Sequence, residues 1–552
     1  MHIAENKSHS KKGKKIYQSV LLRESYREGG KVKKRTVANL SHCTPQEIAA
    51  IKIALQHKGD LSQLGSLEHS VDLEEGLSVG SVWAVHQVAK RMGIAKALGN
   101  GFEGKLAMWQ VIARVIDQGS RLSAVRLAQT HAACDVLEIG RGFDENDLYE
   151  NLKWLADNQG KIEKALFFTR RKDTKPEIFL YDVTSSYLEG VKNFFGEYGY
   201  NRDGKKGKKQ IVVGLLCDEV GEPVSTEVFA GNTQDTRTFA SQVRKAAERF
   251  GCNRVTFVGD RGMIKMPQID ALPEGFHFIT AITKAQIHSL RAQGVIQIGL
   301  FDRDLCEVED QGVRYILRRN PVRVEEINAS RIEKLRGIEK LVQDRNVYLS
   351  EHRKAKVETV LKGVSRKINR LKMGQWLQVG SEERTVQLKI DKEELQEASL
   401  LDGCYVIKTD LPHHAATKEV IHDRYKDLAE VERGFRTCKT DFLEVRPVYV
   451  QKEKSTQGHV LVVMLAYMVI RALRAAWNQF DLTVEEALKQ LSTLCSMQMA
   501  VKNGASCLKI SRPREQSRQL LKALDIRMPT VLPHREVRVV TRKKLTERRK
   551  RH

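Results

Sequence analysis

The hydrophobic pattern of this chain changes period near residue 177, and that change limits the possible folds more than any other feature. Between residues 45 and 160, apolar side chains recur every three to four positions, as in VWAVHQVAKRMGIAKAL (82–98) and LAMWQVIARVIDQ (106–118). This spacing predicts a series of short amphipathic helices. From 177 to 284 the pattern is that of strands. IFLYDV (178–183) predicts a short apolar strand carrying one Asp, and QIVVGLLCDEVGEPVSTEVF (210–229) predicts two strands turning at 218–222. NTQDTRTFASQVRKAAERFG (232–251) predicts a helix with several N-cap options and a glycine stop. RVTFVGD (254–260) and FHFITAI (276–282) supply a fourth and a fifth strand. Three strands, a helix, a strand, a helical turn and a last strand make an α/β fold, a mixed sheet with helices packed on it.

The flanking segments give the division of the chain. Residues 1–44 contain IYQSVLLRESYREGGKVKKRTVANLS (16–41), a basic hairpin turning at Gly29-Gly30 that could lie on a phosphate backbone. Residues 45–170 form the helical region. A DNA-binding element is expected there, although ordinary helical packing explains the pattern equally well. Residues 171–284 are the first part of the sheet core. Residues 285–403 are an expected inserted domain, long, helical and highly charged from 331 to 372 and strand-like at TVQLKID (385–391). The core resumes over 404–480 with CYVIKTD (404–410) and the helix DRYKDLAEVERGFRTCK (423–439). Residues 481–552 are expected to be helical with a basic tail, readable as a solvated run or as a DNA-contacting arm.

Charge narrows the partner. Lys and Arg total 93 against 69 Asp and Glu, a formal net charge of +24, which favours a polyanion, with nucleic acid first. The nine cysteines are widely spread and never form a C-x-x-C pair, so neither a disulfide framework nor a zinc ribbon is indicated. The start lacks the apolar segment of a secretory signal. VLVVMLAYMVI (460–470) falls short of the roughly 20 residues of a membrane helix and reads as a core helix. The expectation is a cytoplasmic protein without a membrane partner.

The candidate chemistry lies at the ends of strands. Asp182 sits near the end of one apolar strand, and Asp260 ends another, inside VGDRG. Aspartate is depleted in strands, and a local cap would account for either residue alone. Parallel alignment would set both at the carboxyl edge of the sheet, where two carboxylates repel unless a cation sits between them. A third acid comes from the helix around Glu432. At 100° per residue, Tyr425, Leu428, Glu432, Arg436 and Lys439 fall on one stripe, which reads either as a site or as a surface salt-bridge ladder. Asp, Asp and Glu suit Mg²⁺, a hard cation that takes oxygen ligands. The loop NRDGKKGKK (201–209), with Arg202, Lys205 and Lys206, reads as a DNA contact or as a solvated hairpin loop.

Together these segments resemble the DDE transposases of bacterial insertion sequences, in the IS-four superfamily and its IS-sixteen-thirty-four-like group. The likeness covers most of the chain. The family's first motif resembles YDVTSSY (181–187), the second VGDRGM (258–263), and an intervening stretch GYNRDGKKGKKQIVVGLL (199–216). The third motif is Tyr, two residues, Arg, three residues, Glu, six residues, Lys, and it aligns with Tyr425, Leu428, Glu432 and Lys439. Leu428 holds the Arg position, for which Arg433 or Arg436 could substitute.

The resemblance implies a ribonuclease-H-like core interrupted between the second Asp and the Glu. It implies that Asp182, Asp260 and Glu432 bind two Mg²⁺ ions, with Mn²⁺ as a substitute. It further implies cut-and-paste transposition, in which water cleaves the DNA at the terminal inverted repeats and the freed 3′-hydroxyl attacks target DNA. Tyr425, Arg436, Lys439 and Arg261 would contact phosphates, and a homodimer would hold paired ends beside the bacterial nucleoid. No residue is assigned to stacking a flipped base; Trp376 is the nearest guess. Two other readings remain at this point, a non-catalytic DNA-binding protein on a transposase scaffold and a ribonuclease-H-like nuclease that cuts without joining.

Overall fold

The computed structural model describes residues 1–9, 16–59, 71–171, 176–439, 443–446, 449–501, 506–533, 535 and 537–542. The chain divides into two compact units. One comprises Met1–Val79, Thr493–Pro513 and Met528–His534, and the other Gly80–Ser492, Arg514–Arg527 and Arg535–His552. The tail from 543 onward lies outside the described residues.

In the smaller unit the expected hairpin is present as strands Ile16–Glu28 and Lys31–Asn39, turning at Gly29 and Gly30 with φ of 56° and 76°. These left-handed angles are those of a tight hairpin turn, which glycine adopts without strain. A third strand, His2–His9, pairs antiparallel with the first, an addition that its polar sequence did not announce. Helix Pro45–Gln56 starts at a capping box in which Thr44 and Glu47 satisfy each other's backbone N–H groups. The helical series expected from residue 45 is then interrupted by strand Val71–Ser78. That strand pairs with Cys495–Val501, which also pairs with Ser506–Ile510, so the C-terminal region is not purely helical. The boundary expected at residue 44 therefore does not coincide with the edge of a compact unit.

The larger unit is built on one eight-stranded sheet. Its strands are β1 (Ile178–Tyr187), β2 (Gln210–Asp218), β3 (Pro223–Ala230), β4 (Val255–Gly259), β5 (Phe276–Ala281), β6 (Cys306–Asp310), β7 (Val313–Arg319) and β8 (Cys404–Thr409). They lie in the order β6-β7-β8-β5-β4-β1-β2-β3. β1, β4 and β5 are parallel, and every other neighbouring pair is antiparallel. The fold class is the expected mixed α/β one, and the five strands expected before residue 284 are all present.

Helices α1 (Glu145–Arg171) and α2 (Asp235–Arg244) supply apolar residues to the main core. Phe167 and Phe239 join Phe179, Tyr181, Phe250 and Phe257 there, the rings of Phe167 and Phe250 stacking at 4.5 Å. This aromatic layer packs on β1 and β4, the strands that lead to Asp182 and Asp260.

The expected insertion differs from its reading in one respect. β6 and β7 lie inside the 285–403 interval yet extend the main sheet through β8. Their sequences, CEVED and VRYILRR, are charged enough to have been read with the insertion. The remainder, α3 (Pro321–Glu351), α4 (Val357–Arg370) and a hairpin of Leu377–Glu382 with Thr385–Ile390, has its own core around Ile338, Val364 and Trp376.

The chain returns through α5 (Lys418–Lys426), α6 (Leu428–Lys439) and α7 (Glu453–Trp477). α7 is long and apolar enough to cross a membrane, but most of it is buried, packed on α1, β3 and the helix Phe102–Ile116. A Cβ at Gly458 would lie 2.0 Å from the Leu152 carbonyl of α1, so only glycine permits this crossing.

Candidate active site

The parallel pairing of β1 with β4 places the two aspartates. Tyr181 is the partner of Gly259, and Asp182 and Asp260 follow them directly. β4 stops at Gly259, whereas β1 continues to Tyr187, so Asp182 is not near a strand end as the sequence suggested. It lies where its neighbour on that side has ended, which opens the sheet edge at this point. Asp182 Oδ1 accepts the Val183 N–H at 2.7 Å and Asp260 Oδ1 the Arg261 N–H at 2.8 Å, fixing both carboxylates locally.

Glu432 arrives from α6. Leu428, Val431, Phe435 and Cys438 are buried, and a Cβ on Gly434 would lie 3.1 Å from the Tyr467 hydroxyl of α7, so this face lies close against the core. Glu432 and Arg436 lie on the exposed side of the helix, with Lys439 half-buried at its end. The helix expected over 423–439 is broken at Asp427, which leaves Tyr425 on α5. Leu428 is packed in the interior, and Arg433 is ion-paired with Glu430 at 2.8 Å. Arg436 lines the acidic cavity, and Arg433 is not among its lining residues.

Asp182, Asp260 and Glu432 border one cavity of about 540 Å³, together with Arg202, Asp235, Arg436 and Lys439. Arg202 is paired with Asp235 at 2.7 Å, and Lys439 with Asp203 at 2.6 Å. The backbone N–H of Arg202 donates to Ser185 of β1 at 2.9 Å. The start of the basic loop is thereby tied to both β1 and α6. Arg261 and Tyr425 are not among the lining residues, but the charge of Arg261 and those of all three acids act on the Tyr425 hydroxyl. Burial, then those acids, holds that hydroxyl far above its ordinary range, so Tyr425 is a neutral hydrogen-bond donor. Lys205 and Lys206 are exposed on the loop and do not reach the cavity. Trp376 is buried in the core of the insertion and is not available for base stacking.

Two acids escaped the sequence reading. Asp235 was only one of several N-cap options in NTQDTRTF, and Asp203 was passed over in a loop read for its cations. Their role as partners of Arg202 and Lys439 depends on pairing across 33 and 236 residues, which no local pattern encodes.

The electrostatics fit a cation. Burial pushes the Asp182 carboxyl up to about 7, with Asp260 and Glu432 adding to the shift and the Val183 N–H and Arg202 opposing it. A carboxylate that is costly to ionise beside two others is where a bound cation contributes most. Among the described residues no group of three or more Asp, Glu, His or Cys side chains stands close enough together to hold a metal ion. The acids that border the cavity, Asp182, Asp235, Asp260 and Glu432, offer carboxylate oxygens, the chemistry that fits Mg²⁺ or Mn²⁺.

Residues 173–469 match the family described as Transposase DDE domain, more than half of the chain. The chain belongs to this family of transposases. Residues 6–66 match IS1634 family transposase, N-terminal domain, which places it with the IS1634-like transposases expected from its motifs. No curated protein matches the chain. Among solved structures it is similar to one described as "Cryo-EM structure of piggyBac transposase synaptic complex with hairpin DNA (SNHP)". That likeness has a TM-score of 0.31 and 8% identity over 80% of this chain and 75% of the other, too low to carry an argument.

Proposed function

We propose that this transposase cleaves DNA at the terminal inverted repeats of its element and joins the freed 3′-hydroxyl to target DNA, with Asp182, Asp260 and Glu432 as the catalytic acids. The observation that carries this reading is their convergence, from β1, β4 and α6, on one cavity that also presents Arg202, Arg436 and Lys439. The strand order β3-β2-β1-β4-β5 supports a ribonuclease-H-like core. Two Mg²⁺ or Mn²⁺ ions held by the three acids would activate the attacking oxygen and neutralise charge on the leaving one.

The chain's own residues do the rest. Arg436 and Lys439 present cations one and two helical turns from Glu432, where they hold the scissile strand by its phosphates. Tyr425, neutral at any working pH, donates a hydrogen bond. Arg261, Arg202, Lys205 and Lys206 extend the cationic surface along the strand on either side. Asp235 and Asp203 hold Arg202 and Lys439 in place until phosphates compete for them. No Ser or Tyr nucleophile is required, because water makes the first attack and the 3′-hydroxyl the second. We further propose that two copies act together, one on each element end.

The test is Asp182→Ala, assayed for repeat binding, end cleavage and joining of pre-cleaved ends. Binding is expected to persist while both reactions disappear. Retained cleavage would overturn the assignment. Cleavage without joining by the wild type would favour a nuclease, and binding alone a non-catalytic DNA-binding protein.

A further inference from the structure

A second cavity in the larger unit has the opposite chemistry. It measures about 90 Å³ and is lined by Arg114, Arg121 and His459, with Tyr149, Arg446 and Tyr449 among its other walls. The three basic residues come from separate helices, Phe102–Ile116, Arg121–Thr130 and α7. Arg114 and Arg121 are each 4% exposed and His459 3%. Buried arginines are ordinarily paired with carboxylates. Here they are held by neutral oxygens instead. Arg114 Nη1 donates to the carbonyls of Gln118 and Leu443, and Arg121 Nη1 donates to Gln110 Oε1.

Unused hydrogen-bonding capacity remains. Arg114 Nε and His459 Nδ1 have no hydrogen-bond partner, while His459 Nε2 faces the Val445 carbonyl at 3.1 Å. The acids are already engaged, including Glu444, which itself lines the cavity. Glu444 is chelated by Arg446 at 3.1 and 3.2 Å, and Asp117 accepts the Ser123 hydroxyl at 2.7 Å. Burial lowers Arg114 to about 10 and, together with the charge of Arg114, lowers Arg121 to about 9. Burial and both arginines hold His459 well below its ordinary value. The pocket thus gathers positive charge and holds too little negative charge to balance it.

We propose that this cavity is a phosphate-binding pocket that takes a single backbone phosphate of the bound DNA strand. Its volume corresponds to about three waters at roughly 30 Å³ each, room for one tetrahedral oxyanion and not for a base. Two guanidinium groups in fork geometry are the side chains best matched to phosphate oxygens. His459 charges when the anion enters and completes the set of donors. Tyr449, one of the lining residues, is 68% exposed, so the cavity borders the surface there.

The pocket is also tied to the active-site elements. Val445 N–H donates to the Cys438 carbonyl at the end of α6, and the Arg446 guanidinium lies 4.1 Å from the centroid of the Tyr187 ring at the end of β1. The DNA source of the phosphate rests on the proposed function; the oxyanion site does not.

The test uses the full chain and two probes, orthophosphate and a short duplex of the repeat sequence. Orthophosphate is expected to bind saturably to the wild type and to Asp182→Ala alike, and ~10-fold or more weakly to Arg121→Met and Arg114→Gln. Arg121→Met removes an unbalanced buried cation at similar volume, so its melting temperature without phosphate is expected to equal or exceed that of the wild type. That result excludes misfolding as the cause of lost binding. Duplex DNA is expected to displace the orthophosphate. Equal phosphate binding by wild type and variants, or none by the wild type, overturns the pocket. Saturable binding that duplex does not displace assigns the site to free phosphate and overturns the DNA source. Loss of cleavage in Asp182→Ala with phosphate binding intact separates this site from the catalytic one.

Discussion

Two cavities of the larger unit are electrostatic opposites. The acidic one gathers carboxylates from β1, β4 and α6 and would be relieved by cations. The basic one gathers Arg114, Arg121 and His459 from three helices and would be relieved by an anion. Both leave charge imperfectly balanced, and a fold bears that cost where a ligand later offsets it. The difference lies in how each is built. The acidic site uses positions that secondary structure determines, a strand edge and a helix stripe. The basic site uses side chains that meet only because separate helices pack together.

The largest expected effect is on chemistry. Asp260→Asn should lower end cleavage by roughly a thousand-fold or more, the scale of several kcal/mol of transition-state stabilisation, and leave orthophosphate binding unchanged. A parallel loss of both activities in single-turnover and titration assays would show that the two cavities are one site.

Next in size is Gly458→Ala, which puts a methyl group against the Leu152 carbonyl at the crossing of α7 and α1, beside His459. A loss of about 2 kcal/mol is expected, measured by urea denaturation. An unchanged midpoint would mean that the crossing is not close-packed.

A smaller effect separates the cavities by pH. Asp182 titrates near 7 in the folded chain, against an ordinary value of 3.8. The folded state therefore keeps a proton that the unfolded state gives up, and stability falls as pH rises through that window. Mg²⁺ requires the carboxylate form, so it should raise the melting temperature more at pH 8 than at pH 5. Thermal melts of Asp182→Asn are expected to lose most of this dependence. Equal shifts at both pH values would contradict the role of Asp182 as a ligand.

The smallest effect belongs to the loop. Lys206→Ala should weaken repeat binding modestly and reduce the salt slope by about one. Measuring binding against salt concentration checks this, and an unchanged slope would remove Lys206 from the interface.

How far the sequence revealed each region follows from the same difference. The five core strands and the acids were legible because apolar runs ending in Asp, and a helix stripe carrying Glu432, are local patterns. Strand His2–His9 was missed because an edge strand of polar residues lacks apolar alternation. β6 and β7 were missed because their charged residues matched those of the insertion. No sequence pattern singles out Arg114, Arg121 or His459, which stand on three separate helices. Only packing showed that all three are buried together.

The central claim is tested most directly by incubating purified protein with labelled duplex carrying its element's terminal repeats, with and without Mg²⁺, for wild type and Glu432→Gln. Cutting at the repeat boundary that requires the metal and is lost in the variant is the predicted result. Cutting by Glu432→Gln at the wild-type rate would contradict the assignment of Glu432 as the third catalytic acid.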